Sequence, residues 1–442
     1  MPILSNISQC RAVTSITRLT GVIAILCSAC SVLASPQANA TSKAFDVSPL
    51  KAVAPRTILD ETKFGLNLLA IVRKSDSGNI ALSPYCVNAA LLLALNGAHG
   101  STATALRKGL QIDNQPLGKL DGDNRIIGDT LAADSLDGMV GGQSDFKPEL
   151  SIDSANAIWV QRGWPIYPDY IALCHDRLGA AATSVDFTNP TGAEEINTWV
   201  SKKTHNLIPT LVTPDQIVSD KLVLTSALYF RSDWETPFNT VETHLAPFTK
   251  SVRNIQTVPT MRQIAWMDYE ETPLCQMAEL PYGYGRWRFL IILPRPGRTV
   301  DGILSVLGAQ GLATAPHNCT NTRVDISLPK FEIHGDYDLR SALQNLGMGL
   351  AFSRRDADFS GISANGLNIN SVVHKTVLKV DEHGTSAAAE TAVDMMDTSS
   401  APSGTVEVTP KIMKVDRPFF FAIQDSITGL VLLEGVVENP KS

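Results

Sequence analysis

"GTSAAAETAVDMMDTSSAPSG", Gly384–Gly404, sits late in the chain between two apolar, strand-like segments, "VVHKTVLKVDEH" before it and "RPFFFAIQDSITGLVLLEGVVENP" after it. Taken with a period of two, "TSAAAETAV" puts Thr385, Ala387, Ala389, Thr391 and Val393 on one face, and Ser386, Ala388, Glu390, Ala392 and Asp394 on the other. The first face is small and uncharged; the second becomes charged. A strand that must slide between two existing neighbours needs this character. Bulk would overpack the slot, and a charge on the inner face would be stranded without water. A flexible Ala/Ser linker is the alternative, but a linker needs no parity between faces. Gly384 is expected to be a hinge, able to take backbone angles closed to other residues. Downstream, "TSSAPSG" has poor strand character and is expected to be exposed and cleavable.

The chain has 442 residues, 44% of them hydrophobic, and a net charge of −7, which suits a globular protein with ample core. That length allows two or three average domains or one large one. The mild acidity leaves no basic footprint for nucleic acid and names no partner. At the N-terminus Arg11 and Arg18 precede an uncharged run, Leu19–Ala34, and the small residues after it end in Ala38-Asn39-Ala40. This is the pattern of a cleaved export signal over 1–40, with Thr41 starting a flexible mature N-terminus over 41–57 and the protein periplasmic or secreted. The run is short for a spanning helix, and no later segment is apolar enough to cross a bilayer. Lipidation at Cys30 fits less well, because Leu26 lies one place too far upstream. Loss of Cys10, Cys27 and Cys30 leaves Cys86, Cys174, Cys275 and Cys319, unclustered and without C-x-x-C spacing. They form neither a disulfide framework nor a zinc site. Buried free thiols are expected, with a single bridge as the alternative.

Helical spacing places Ile58, Phe64, Leu68, Ile71 and Val72 on one face of "ILDETKFGLNLLAIVRK". A helix starts at Ser83-Pro84 and ends near Gly97 or Gly100. From 113 to 147 the chain is rich in Gly and Asp with little periodicity, and a mobile surface insertion is expected there. Within it "DGDNRIIGD" is no calcium loop, since Ile126 stands at the position that needs Gly. Further helices fall around 168–178, 193–209 and 338–347. Strands fall at "SANAIWV", "KLVLTSALYFRSD", "LCQMAELPY", "WRFLIILP", "VDISLPKFEI" and "VVHKTVLKV", and 418–440 forms a hairpin. Helices and strands mix without strict alternation, so the expected class is α+β with large, mainly antiparallel sheets.

No G-x-S-x-G, H-E-x-x-H, P-loop or G-x-G-x-x-G motif occurs, and the eight histidines are scattered. His374, inside an apolar strand, fits a hydrogen-bonded core residue better than a catalytic base. No enzyme, cofactor or metal is indicated.

Several stretches together resemble the serpin family. "VDEHGTSAAAETA" resembles the serpin hinge and "DRPFFFAIQDSITGLVLLEGVVENP" the family's C-terminal signature. "NIALSPYCVNAALLLALNGAHGSTA", "INTWVSKKTHNLIP", "LVLTSALYFRSDWETPF", "ELPYG", "LPKFEI" and "DADFSGIS" follow family order, so the likeness runs from about Ile58 to Pro440. It implies one serpin domain over 58–442: a large central sheet, smaller sheets, surrounding helices and an exposed reactive-centre loop over 384–410. It also implies a suicide inhibitor. A serine protease cuts the loop and forms an acyl-enzyme, and the freed strand inserts into the sheet and traps it. Gly384 matches the hinge glycine, Thr385 the first inserting residue, and Ala387, Ala388 and Ala389 the small run, with Thr391 on the same inward face. Family spacing puts the scissile bond between Thr398 and Ser399, with Met395, Met396 and Ala401 as alternatives because the loop is long. No Lys or Arg occurs between Gly384 and Lys411, so the implied partner is a protease with a small or apolar pocket, elastase-like or subtilisin-like. Ser83 and His374 match the polar cluster that gates sheet opening. Cys86 stands there for a usual serine and Ser226 for a usual asparagine, both of which weaken or shorten hydrogen bonds. Trp234 matches the tryptophan where the loop enters. The implied state is a monomer prone to loop–sheet polymerisation. A non-inhibitory carrier or chaperone is the alternative function, and the small inward face speaks against it.

Overall fold

A computed structural model of the chain describes residues 48–113, 115–137, 149–251, 254–386 and 408–441. Its helices are α1 (Ser48–Lys51), α2 (Pro55–Ser75), α3 (Pro84–Gly97), α4 (Gly100–Gly109), α5 (Leu117–Asp137), α6 (Pro168–Leu178), α7 (Pro190–Lys203), α8 (Pro214–Ile217), α9 (Val300–Asn318) and α10 (Arg340–Leu343). The strands are β1 (Ile80–Leu82), β2 (Leu150–Gln161), β3 (Ala181–Val185), β4 (Leu222–Asp233), β5 (His244–Ser251), β6 (Asn254–Glu271), β7 (Cys275–Pro281), β8 (Trp287–Pro294), β9 (Thr320–Pro329), β10 (Phe331–Asp338), β11 (Ser371–Val380), β12 (Gly384–Ser386), β13 (Lys411–Lys414), β14 (Phe419–Asp425) and β15 (Val431–Val437).

They form two sheets. One has the order β10-β11-β12-β4-β2-β3; the other runs β1-β15-β14-β8-β7-β6-β9-β13, with β5 also paired to β6. This is the α+β class expected from the sequence. Within the first sheet β4 is buried along nearly its whole length, which explains why "LVLTSALYF" is mostly apolar and not alternating, with Thr225 and Ser226 as its buried polar members. On one side Val223, Ala227 and Val373 share a cluster with Ile196 and Val200 of α7. Helix α3 lies on the other side and is buried nearly all round. Its start follows from chemistry at Ser83, whose side chain accepts the Cys86 N–H at 3.1 Å, while Pro84 needs no donor there. The β14–β15 hairpin turns at Gly429 (φ 75°), where an added Cβ would lie 2.2 Å from the Ala313 carbonyl oxygen, so a side chain is excluded twice over. Between the sheets a chain of rings runs from Trp234 stacked on Tyr282 (centroids 4.4 Å) through Phe289 to Phe421 and Phe331. Each fully buried ring of this kind contributes about 1.5–3 kcal/mol.

Two expectations need correcting. In the segment expected to be a mobile insertion, 113–147, α5 occupies 117–137 and buries Leu120, Ile127 and Leu131, while 138–147 lies outside the described residues. Its buried polar residues find tertiary partners, Asp121 receiving the Asn96 amide at 2.9 Å and Asp134 the Arg286 guanidinium at 2.6 Å. A helix whose inner face is partly carboxylate shows no apolar period. The N-terminus is likewise not loose throughout 41–57, because Leu50, Val53 and Thr57 are buried. The segment 1–40 expected to be an export signal, with Cys30, lies outside the described residues. Cys86, Cys174 and Cys275 are buried free thiols, and Cys319 is a half-buried one.

Glu434 is fully buried on β15, opposite Leu82 and Ala422, and neither carboxyl oxygen has a hydrogen-bond partner among the described residues. Burial pushes its pKa up to about 8, and that of the buried Glu61 likewise to about 8. The folded pKa lies above the unfolded value, so the stability each supplies is present below the ordinary carboxylate range and is lost as pH rises through 8. Glu434→Met is expected to raise the melting temperature, by more at about pH 9 than at about pH 5. An equal gain at both would show that packing, not ionisation, governs the site.

Candidate functional site

The first sheet is not closed along its middle. Strand β12 is a three-residue wedge, antiparallel to both neighbours: Val380 pairs with Thr385 on one side, and Ser232 pairs with Thr385 on the other. Below the wedge β11 and β4 pair directly and in parallel, Ser371–Thr376 against Val223–Leu228. Gly384 belongs here for a steric reason. Its φ is not positive, but an added Cβ would lie 2.1 Å from the Ser232 carbonyl oxygen and 2.8 Å from the Asp233 Cα. In this conformation the glycine is required by close approach between main chains, not by a positive φ. Thr385 is buried, and its hydroxyl hydrogen-bonds the hydroxyl of Tyr282.

The turn into β12 is clamped. The Trp234 indole N–H donates to the Asp381 carbonyl at 2.9 Å, and its backbone N–H to the His383 carbonyl at 2.8 Å. Glu382, mostly buried, accepts from Lys330 at 2.6 Å and from Thr243 at 2.7 Å. Burial alone would raise the Glu382 pKa, but the Lys330 and Thr243 hydrogen bonds and the Lys330 charge outweigh it and hold the carboxyl below its usual value.

Beneath the directly paired stretch lies a buried polar cluster. The Ser83 backbone N–H donates to His374 Nε2 at 3.0 Å, which obliges that nitrogen to be an acceptor and puts the proton on Nδ1. Nδ1 in turn donates to Ser226, with Oγ at 2.7 Å and the carbonyl oxygen at 3.2 Å. The Ser83 hydroxyl donates to the Leu432 carbonyl at 2.7 Å and ties the cluster to β15. Cys86 reaches the Ala227 carbonyl through its thiol at 3.6 Å, a long, weak contact, and burial pushes the thiol pKa up to about 12. Burial holds His374 neutral, with its pKa down to about 4.

A strand end is thus wedged into a sheet that stays zipped below it, over a buried histidine. Residues 60–440 match the family described as serpin (serine protease inhibitor). The chain belongs to the serpin family. It is 36% identical over 372 residues to an uncharacterized serpin-like protein of Thermococcus kodakarensis, covering 83% of this chain and 82% of that one. It is 30% identical over 392 residues to the leukocyte elastase inhibitor of Equus caballus, covering 86% of this chain and 98% of that one. Among solved structures, the thermophilic serpin tengpin in its native state superposes with a TM-score of 0.73 at 27% identity, covering 87% of this chain and 94% of that one.

Of the residues singled out from the sequence, Ser83, Cys86, Ser226 and His374 meet in one cluster, while Trp234 stands apart at the wedge. Gly384 and Thr385 sit within the wedge. Ala387, Ala388, Ala389, Thr391, Met395, Met396, Thr398, Ser399 and Ala401 lie outside the described residues. Tyr282, Glu382 and Lys330 were not singled out, although Tyr282 stands in the quoted "ELPYG" and Lys330 in "LPKFEI". Nothing in a strand-like sequence marks which hydroxyl or ammonium will face a hinge. Among the described residues no group of His, Cys, Asp or Glu is placed to hold a metal ion, and no helix is long and apolar enough to cross a membrane.

The folded pKa of His374 lies below its unfolded value. Its contribution to stability is therefore complete above about pH 6.5 and is lost as pH falls from there towards 4. Protonation sets Nε2–H against the Ser83 N–H. Amide hydrogen exchange across 223–228 and 371–376 is expected to accelerate over that window. Exchange that stays flat until the whole chain unfolds would contradict the coupling.

Proposed function

We propose that this serpin is an exported suicide inhibitor of serine proteases with small or apolar specificity pockets, elastase-like or subtilisin-like. The protease serine Oγ attacks the carbonyl carbon of the scissile residue, Thr398 by family spacing, with Met395, Met396 and Ala401 as alternatives. The peptide bond to Ser399 breaks, the new amine takes the proton, and an ester joins the two proteins. The freed strand then extends β12 down the sheet and carries the protease with it.

The observation that carries this reading is the double register of β12. Continued downward, the pairings of Thr385 with Val380 and Ser232 set Ala387 between Leu378 and Phe230, and Ala389 between Thr376 and Leu228. They set Thr391 between His374 and Ser226, and Val393 between Val372 and Leu224. The two registers extrapolate independently, and they agree with the parallel register in which His374 already faces Ser226 and Val372 faces Leu224. Every neighbour named for this face is buried, so the small, uncharged face of the loop matches the space it would enter. Glu390, the one departure from smallness in the run, falls in the row of Lys375 on the opposite face. An opposite-charge cross-strand pair there contributes roughly 0.2–1 kcal/mol.

Incubation with an elastase and a subtilisin is expected to give a complex that survives SDS, and Thr385→Arg to turn the inhibitor into a substrate. Cleavage without any covalent complex, by every protease tried, would favour a carrier or chaperone instead. The register has its own test. Glu390→Lys sets two cations in one row and should raise the number of inhibitor molecules consumed per protease trapped. Adding Lys375→Glu should bring that number back. Absence of rescue would mean that the strand enters in another register.

A further inference from the structure

The chain contains two Asn-Gly pairs, Asn96-Gly97 and Asn365-Gly366, and the fold treats them in opposite ways. In such a pair the glycine has no Cβ to obstruct the approach of its own amide nitrogen to the preceding side chain. Asn96 is protected. Gly97 closes α3, so its N–H is spent on the helix ladder, and the Asn96 amide donates to the Leu92 carbonyl and to Asp121, each at 2.9 Å. Ile362 fills the space beside Gly97, its Cγ1 lying 2.2 Å from the place of the absent Cβ. Asn365 has none of this. Asn365 and Gly366 are exposed, in the turn that follows Ser363. The Gly366 N–H has no hydrogen-bond partner among the described residues, and no atom stands within 4 Å of the place of its absent Cβ. The Asn365 amide reaches the Gly163 carbonyl at 3.4 Å, too long to hold it firmly.

We propose that Asn365-Gly366 is a self-modifying site, whose slow conversion to β-aspartate slackens the lower end of the β11–β4 ladder. The Gly366 nitrogen, after giving its proton to solvent hydroxide, attacks Cγ of Asn365. The new C–N bond closes a cyclic succinimide, and the Cγ–Nδ2 bond breaks with release of ammonia. Water then opens the ring at either carbonyl. One opening gives aspartate; the other gives β-aspartate, with the main chain rerouted through the side chain and lengthened by one methylene. Each adds a negative charge, and neither needs an enzyme or an oxidant. Position gives the change its reach. Directly after the pair, Leu367, Asn368, Ile369 and Asn370 are buried. The Ile369 N–H donates to the Ala351 carbonyl at 3.0 Å, and the Asn370 N–H to the Leu222 carbonyl at 2.9 Å. Oδ1 of Asn370 accepts the Lys221 and Leu222 N–H groups at 2.8 and 3.2 Å, and Ser371 then opens the ladder opposite Val223. This run is fixed for a chain of ordinary length. An extra methylene just before it pushes on those bonds; a charge alone, on an exposed turn, does not.

The test incubates the full chain in buffers of rising alkalinity and maps its peptides, with β-aspartyl carboxyls marked by enzymatic transfer of a labelled methyl group. Conversion is expected at Asn365 while Asn96 remains an amide, and faster in the more alkaline buffer, because the attacking nitrogen must lose its proton. Gly366→Ala should slow conversion about tenfold or more, equivalent to about 1.4 kcal/mol or more of barrier. Gly366 has open space and no positive φ, so the alanine should fit, as an unchanged melting temperature would verify. An Asn365 amide that outlasts Asn96, or that converts no faster than in Gly366→Ala, would overturn the site. Its reach is read by amide hydrogen exchange at Lys221, Leu222 and Asn370. Exchange there is expected to accelerate in the β-aspartyl fraction and not in Asn365→Asp, which carries the charge without the added methylene. Equal exchange in the fresh protein, the β-aspartyl fraction and Asn365→Asp would overturn the link to the ladder.

Discussion

The seam between β11 and β4 is the constraint on which the molecule turns. Six residue pairs zip it in parallel, and three residues of β12 hold it apart at one end. A parallel seam is slightly weaker per residue than an antiparallel one. A strand entering it would replace one parallel ladder by two antiparallel ladders and bury its own inner side chains. On the proposed inhibitory reading the closed state would be poised against a better-bonded alternative, held shut because the old ladder and the Ser226–His374 bond must break before new bonds form. That would be a kinetic hold, and it would set the demand on the cluster below: firm enough to keep the seam shut, with no bond so strong that it cannot be given up. In this seam Cys86 meets the Ala227 carbonyl through a long thiol contact of 3.6 Å, while Ser226 bonds His374 at 2.7 Å.

Buried charge is distributed so that pH pulls the fold in two directions. His374 favours high pH, because its site is built for the neutral ring. Glu61 and Glu434 favour low pH, because theirs give a carboxylate nothing to bind. Arg286 is different: it is buried between Asp134 of α5 and Asp425 at the β14–β15 turn, and so joins a helix to the hairpin. Such a buried ion pair is poor evidence of added stability but strongly fixes which groups must meet.

The sequence was most legible where one physical demand governs a segment. Strand β4 is mostly apolar because both its faces are covered, α3 declares its start through Ser83 and Pro84, and the late hairpin turns at a glycine. Helix α5 was illegible because Asp121, Asp123 and Asp134 sit on its buried side and mimic a loop composition. The cluster residues Ser83, Cys86, Ser226 and His374 came from family resemblance; nothing in their spacing brings positions so far apart together. At Gly384 the structure adds a steric demand that its sequence context does not mark: a carbonyl oxygen 2.1 Å from the place of its missing Cβ.

Lys375 shows how a local pair can be tied to a larger movement. Its ammonium group now donates to the Thr210 carbonyl at 2.8 Å and pairs with Asp336 at 2.8 Å, so it fastens the connection after α7 to the sheet and to β10. If the strand enters in the register set by β12, Glu390 arrives in the same row and competes for that ammonium group. The Thr210 carbonyl is neutral and a carboxylate is not, so the charge-assisted bond prevails. Insertion would then loosen the hold on the α7 connection as the strand passes Lys375. That is the moment at which Ala392, next on that face, must pass between Val373 and Thr225, in the layer that α7 covers. The charge that breaks the small-residue pattern would open room for the residues that keep it.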